Sequence, residues 1–329
     1  ETPFVIGACL KAAEVSHEKP WFLFCNPPDL LKGLVERSRE VLESPDVHSF
    51  YLPTGPRALA GSTRLQATTV QTLIPGAALC EALGHGDAMD LINGFQGIMR
   101  AHDPLFLAPF IEAEANIYEA GNHVLYQTDA YGITVLTDTT ERSPTFSLAP
   151  FENKNRPDDP ASLSYLSLPG TQDSASAWKR LLHRPPRTLE WPELHAKASM
   201  ETLLGHDISA KTAEWRHQRN PDSKQLPYLV FGTQPRLEFA GLSHSLEMDK
   251  QPLLLRHLLL KCCLNLQSTL VMGRMNLFES NLMTRVRPSN YKLIDRAARH
   301  AQHFHRQKTG EYLIYETAVR QVFSTLTAG

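Results

Sequence analysis

No stretch of this chain approaches the roughly 20 uncharged apolar residues that a membrane span needs. Its longest apolar segment, residues 252–263, is broken by Arg256, His257 and Lys261. An excess of one charge is also missing: 33 Lys and Arg stand against 35 Asp and Glu, a formal net charge of -2. That balance supplies neither the basic field that nucleic acid requires nor a polybasic surface for acidic lipid, so neither nucleic acid nor membrane is expected as a partner. Cysteine is scarce and unpatterned. The 5 cysteines include no CxxC pair and no zinc-like spacing, and most lie in apolar runs where a free thiol behaves as a small hydrophobe. The 14 histidines contain no HExxH or HxxxH arrangement. We therefore expect no metal, no other cofactor and no disulfide framework. The first residues enter a periodic pattern with no secretory leader before them, which points to a reducing, cytoplasmic setting.

What is present is ordinary globular composition, 42% hydrophobic and 21% charged over 329 residues, enough for two α/β domains. Residues 4–15 have helical periodicity behind Pro3, and 21–25 (Trp-Phe-Leu-Phe-Cys) form a short continuous apolar run stopped by Asn26-Pro27-Pro28. Such a run reads as a buried parallel strand. Helical spacing over 29–42, a second short strand over 47–52, a Gly/Pro-rich loop over 53–62 and a long helix over 63–83 follow. This is half of a doubly wound domain, and two short strands cannot bury both their faces. The N-terminal half of that domain is expected to lie outside this chain. After a helical stretch over 87–120, a second α/β pattern begins with a strand at 123–127, a polar turn at 128–132 and a helix from 133. Strands are expected at 163–168, 187–191, 228–231 and 237–241, and amphipathic helices at 252–275, 288–306 and 311–326. The expected domains are residues 1–100, 101–310, and a C-terminal helix at 311–329.

The strongest local signal is Gly61-Ser62-Thr63-Arg64 ahead of the long helix. Gly61 permits a tight turn, Ser62 and Thr63 suit a helix N-cap, and the first N–H groups of a helix attract anions. Arg64 in the first turn suits a phosphate or carboxylate. On these residues alone, a plain helix cap and an anion site both stay open.

The wider segment Gly55-Pro56-Arg57-Ala58-Leu59-Ala60-Gly61-Ser62-Thr63-Arg64-Leu65 resembles the signature of the family that unites the glucokinase regulatory protein with the N-acetylmuramate 6-phosphate etherases. Other segments resemble that family in the same order: Thr2-Pro3-Phe4-Val5-Ile6-Gly7-Ala8, Phe24-Cys25-Asn26-Pro27, Asp138 to Phe146, Pro169 to Ser174, Leu264 to Thr269, and Val286 to Leu293. Roughly 200 residues separate the Gly61 loop from the Leu264 segment, the spacing of the family's two-domain members. The resemblance implies two domains of the sugar-isomerase (SIS) type, flavodoxin-like with doubly wound parallel sheets and helical additions, the first lacking its N-terminal half here.

It also implies site residues. Thr2 falls in the family's phosphate loop, Ser62, Thr63 and Arg64 in its phosphosugar-binding signature, and Lys261 where the second domain carries a lysine that contacts the sugar phosphate. Glu141 matches the glutamate that is an acid/base group in the etherases, where lactate leaves by elimination and one group must take a proton while another gives one. From the residues alone, Glu141 pairing with Arg142 and Lys261 in an ordinary salt bridge remain the plain alternatives. The chain departs from the family at several positions. Pro169 and Gln172 replace two glutamates, Gln66 and Gln71 stand at lysine positions, and Glu1 stands where the family often has Arg or Ser. An amide can hydrogen-bond a sugar but cannot transfer a proton at neutral pH. The expectation is a phosphosugar-sensing protein for a ligand such as fructose 6-phosphate or N-acetylmuramate 6-phosphate, monomeric with paired SIS domains. The alternative is an etherase, a carbon–oxygen lyase using Glu141. The resemblance also brings the expectation of a sugar kinase partner.

Overall fold

A computed structural model describes residues 3–189, 191–248, 250–288 and 291–327. The chain divides into two compact units, Glu1–Gly97 and Ile98–Gly329. Among the described residues no helix is long and apolar enough to cross a membrane, and no cluster of His, Cys, Asp and Glu could hold a metal ion. None of the five cysteines is in a disulfide.

The first unit begins with α1 (Pro3–Val15), β1 (Trp21–Phe24), α2 (Pro28–Leu34), α3 (Glu36–Glu43), β2 (His48–Tyr51) and α4 (Ala67–Ala82). β1 and β2 pair in parallel, Trp21 opposite His48 through Phe24 opposite Tyr51. The alternation of a strand sends Phe22 and Phe24 to one face, with Ile6, Leu31, Val41 and Val47, and Leu23 to the other, with Val70 and Ile74. Both faces of β1 are covered, as its unbroken apolar run demands. The helical stretch expected over 29–42 is two helices: Val35 adopts an extended conformation (φ -137°, ψ 106°) between α2 and α3. α5 (Ala88–Ala101) carries the division between the units.

The second unit continues with a 3₁₀ turn at Pro104–Phe106, α6 (Leu107–Glu119), β3 (His123–Thr128), α7 (Gly132–Phe146), β4 (Ser164–Ser167) and α8 (Ser174–Leu182). A second 3₁₀ turn at Pro192–Leu194, α9 (His195–Ala198), α10 (Met200–Gly205) and α11 (Thr212–Arg219) lead to β5 (Gln225–Phe231), β6 (Arg236–Phe239) and β7 (Leu242–Ser245). α12 (Leu253–Arg274), the short pair β8 (Phe278–Glu279) and β9 (Leu282–Met283), α13 (Tyr291–Thr309) and α14 (Tyr315–Thr327) complete it. The sheet order is β4-β3-β5-β6-β7. β4, β3 and β5 are parallel, whereas β5-β6-β7 is an antiparallel meander. An α/β fold with parallel pairing is thus present in both units, but the expected all-parallel sheet is corrected at β6 and β7. Gly232 (φ +88°) and Gly241 (φ +83°) make the reversals that turn this edge into hairpins. The expected strand at 187–191 is also absent over its described residues: Pro185, Pro186 and Pro192 flank it, and proline cannot donate to a ladder.

An aromatic ladder crosses the sheet. Tyr126 on β3, Tyr228 on β5 and Phe239 on β6 stand directly opposite one another, with ring centroids 4.5 Å and 4.8 Å apart. α6, α7 and α12 pack together over this face. The long segment between α7 and β4 is pinned by a buried pair instead of a strand. Arg216 Nε donates to Glu152 Oε1 at 2.6 Å, its Nη2 donates to the Ser162 carbonyl at 2.8 Å, and Glu152 Oε2 accepts from Ser162 N–H and Oγ.

Candidate functional site

The loop that carries Gly61-Ser62-Thr63-Arg64 leaves the carboxyl end of β2, beside the Asn26 turn at the carboxyl end of β1. Ligand crevices of open α/β sheets form outside the carboxyl ends of the strands. Side chains hold this loop in shape. Arg57 Nη1 donates to Thr54 Oγ1 at 2.9 Å, and its Nη2 reaches Asn26 Oδ1 at 3.3 Å. Gln66 accepts from Ala58 N–H at 2.8 Å and donates to the carbonyls of Pro56 (2.8 Å) and Thr54 (3.3 Å). Gly61 sits at φ +75°, a left-handed conformation that side chains with a Cβ resist.

The expectation that Ser62 and Thr63 cap the long helix is corrected. The helix starts at Ala67, and Gln66 stands at its cap without a side-chain cap bond. Ser62 Oγ instead accepts from Arg64 N–H at 3.5 Å, and the Thr63 carbonyl accepts from Thr68 N–H at 3.0 Å. Thr63 is exposed, Ser62 half-buried, and Arg64 is only 1% exposed. Gln66 and Gln71 have structural roles, because Gln71 Nε2 donates to the Leu23 carbonyl at 3.1 Å while Gln66 ties the loop. Thr2 lies outside the described residues.

In the second unit, Glu141 is half-buried on α7 and Lys261 half-buried on α12, two helices that pack against each other. Glu141 is not the partner of Arg142. That guanidinium is 2% exposed and belongs to an ionic cluster inside the fold. Its Nη1 donates to Glu114 Oε1 (2.6 Å) and Tyr118 Oη (3.1 Å), its Nη2 to Tyr126 Oη and Asp138 Oδ2 (2.8 Å each), and its Nε to Asp138 Oδ2 (3.1 Å). All five guanidinium N–H groups are thereby used. Glu114 Oε2 accepts from Gln267 Nε2 at 2.6 Å, and Asp138 Oδ1 accepts from Asn265 Nδ2 and Ser268 Oγ, both at 2.8 Å. Lys261 Nζ donates to Asn265 Oδ1 at 2.8 Å, which joins the lysine to the cluster by one relay. Burial pushes the phenols of Tyr118, Tyr126 and Tyr228 well above their usual range, so they stay protonated donors.

The strand-end turn of this unit, at the switch point between β3 and β5, differs from a phosphate cradle. Asp129 occupies it, and a carboxylate there opposes an incoming phosphate. Tyr131 Oη donates to the Thr233 carbonyl at 2.6 Å, and Arg256 Nη1 donates to the same oxygen at 2.9 Å. Thr134 Oγ1 bonds His257 Nδ1 at 2.7 Å. Burial, then the Arg256 charge, holds the His257 imidazole below the ordinary histidine range. These contacts tie the start of α7, the β5–β6 turn and α12 together at the end of the sheet. At the carboxyl end of β4, Pro169 and Gln172 border a turn in which Gly170 has φ +80°. The Pro169 carbonyl accepts from Arg180 Nη1 at 2.6 Å, and Gln172 is exposed.

Of the residues expected at the site, then, Ser62, Thr63 and Arg64 share one loop of the first unit, and Glu141 and Lys261 share one helix pair of the second. Sequence reasoning missed Asn26, Arg57 and Gln66 as the frame of the loop. The Gly/Pro-rich segment at 53–62 signalled a loop, but of the three it contains only Arg57. No protein-family model matches the chain, and no curated protein matches it.

Proposed function

We propose that this chain is a phosphosugar-binding protein built from tandem sugar-isomerase-type domains, with the loop at Gly61-Ser62-Thr63-Arg64 as its phosphate-binding element. The observation that carries the reading is the loop's placement and construction. It lies at the carboxyl end of a parallel strand and turns through a left-handed glycine. Asn26, Arg57 and Gln66 hold it in one shape. A rigid, hydroxyl-bearing turn of this kind suits a phosphate because its donors need no reordering on binding. The ordered resemblance of segments from Thr2 to Leu293 supports the same ligand class.

A second reading, an etherase that eliminates lactate, rests on Glu141, a half-buried carboxylate on α7. Pro169 and Gln172 weigh against it, since neither can exchange a proton at neutral pH. Both readings are tested by calorimetric titration of the protein with fructose 6-phosphate and with N-acetylmuramate 6-phosphate, with lactate followed in parallel. Micromolar binding, about -8 kcal/mol, that is lost in Ser62→Ala/Thr63→Ala without lactate release supports the sensor. Lactate release that disappears in Glu141→Gln supports the lyase. Absence of binding to either sugar refutes the assignment of the loop.

A further inference from the structure

In the second unit a cavity of about 250 Å³ opens between the C-terminal turn of α7, the segment after β9 and the first turns of α13. Three arginines line it: Arg285 and Arg287 from the segment after β9, and Arg296 from α13. Ser143, Thr145 and Ser147 line the same space, while Leu148, Met283 and Val286 form its apolar wall. Among the described residues no carboxylate lines it. The site is built, because Ser147 fixes the basic segment on both sides. Its Oγ accepts from Arg287 N–H at 2.9 Å and donates to the Arg285 carbonyl at 3.3 Å. Ser147 does so from a left-handed conformation, φ 57°, that a non-glycine residue adopts only under structural compulsion.

Arg285 and Arg287, two residues apart on one partly apolar cavity, bring like charges together, and a bound anion relieves their repulsion. Leu293 and Arg296 bring the first two turns of α13 to the same wall. The carbonyls at the end of α7 oppose an anion, but the Ser143 carbonyl is already engaged by Leu148 N–H at 3.1 Å, and the Leu148 carbonyl just beyond the helix accepts from Ser143 Oγ at 2.9 Å. Arginine forks match the oxygens of a phosphoryl group better than any other side chain. We infer that this cavity binds a small phosphoryl anion of at least two negative charges, separately from the proposed phosphosugar loop. It shares no residue with residues 61–64, so its existence does not depend on that loop's function.

The test is calorimetry on the full chain with inorganic phosphate, inorganic pyrophosphate and citrate, at low and at physiological salt. Pyrophosphate is expected to bind, with affinity falling as salt rises. Arg285→Gln and Arg287→Gln, both at exposed positions, are each expected to weaken it by about tenfold or more, with the thermal midpoint of the free protein preserved. Arg296→Lys keeps the charge but not the fork and should weaken it less than Arg296→Gln. Ser62→Ala/Thr63→Ala should leave pyrophosphate binding at this cavity unchanged. Failure of both phosphate and pyrophosphate to bind overturns the inference, as does binding that survives the Arg285→Gln/Arg287→Gln double variant. Binding of citrate alone overturns the assignment to a phosphoryl anion.

Discussion

Replacing Arg142 by alanine removes a cation that faces two carboxylates inside the fold. Glu114 is 0% exposed, Asp138 1% and Arg142 2%. Without the guanidinium, Glu114 keeps the hydroxyls of Tyr118 and Tyr126 and the amide of Gln267, and Asp138 keeps Asn265 and Ser268. Neutral dipoles do not cancel two negative charges in a low-dielectric interior. Breaking such a buried pair costs about 3–5 kcal/mol, and Arg142 bonds two buried carboxylates here, so the upper end applies. For a domain of this size each kcal/mol moves the midpoint by about 2–4 °C, which gives a fall of roughly 10–20 °C by circular dichroism. The triple variant Arg142→Met/Glu114→Gln/Asp138→Asn removes the charges together and should recover most of that loss, because a neutral, well-packed substitute for a buried ionic cluster is often close to neutral in stability. An Arg142→Ala midpoint within about 1 kcal/mol of wild type, or a triple variant as unstable as the single one, refutes this account.

Glu152→Ala should destabilise the second unit by about 3–5 kcal/mol, because Arg216 is 1% exposed and Glu152 is its buried partner; urea unfolding measures it. Gly205→Ala drives a Cβ to within 2.5 Å of three Asn153 side-chain atoms, atoms that bond Thr202 O and Asn155 N–H, so a loss of about 1–3 kcal/mol is expected in the same assay. Burial is the leading cause that holds His102, His123, His206, His244, His257 and His300 below the ordinary value of 6.5. The unfolded chain therefore takes up protons first as pH falls. The stability these groups contribute is complete above about pH 6.5 and is lost as pH drops through the lower folded values. The urea midpoint should be lower at about pH 5.5 than at about pH 7.5, and an equal or higher value contradicts the assignment.

The strands that lie inside the fold were legible because burial on two faces writes itself as an unbroken apolar run, as in Trp21–Phe24 and Tyr126 with its neighbours. β7 was not, since Leu-Ser-His-Ser alternates at the outer edge of a meander and reads as a polar loop. The helix start at Ala67 was misplaced by four residues because Ser62 and Thr63 carry the chemistry of a cap. What decides the start is Gln66, whose side chain bridges back to Thr54, Pro56 and Ala58, contacts that no local pattern encodes. Arg142 and Arg216 are the sharper failure. A charge inside a helical pattern is ordinarily a solvated face, and only the tertiary arrangement brings Glu114, 28 residues away, or Glu152, 64 residues away, against them.

The same cluster bears on how the site residues should be weighed. Glu114 and Asp138 both face the guanidinium of Arg142 inside the fold. Lys261 reaches Asn265, and Asn265 reaches Asp138, at 2.8 Å each, so a half-buried ammonium stands one amide away from a buried carboxylate. That relay gives the lysine in an otherwise apolar stretch of α12 a role within the fold. A phosphosugar contact at Lys261 would be an additional use of a residue the fold already requires. No comparable internal demand explains Ser62 and Thr63. The Ser62 hydroxyl makes one long contact within its own turn, and the loop beneath the pair is braced by other residues. The functional reading therefore stands on that loop and not on the lysine.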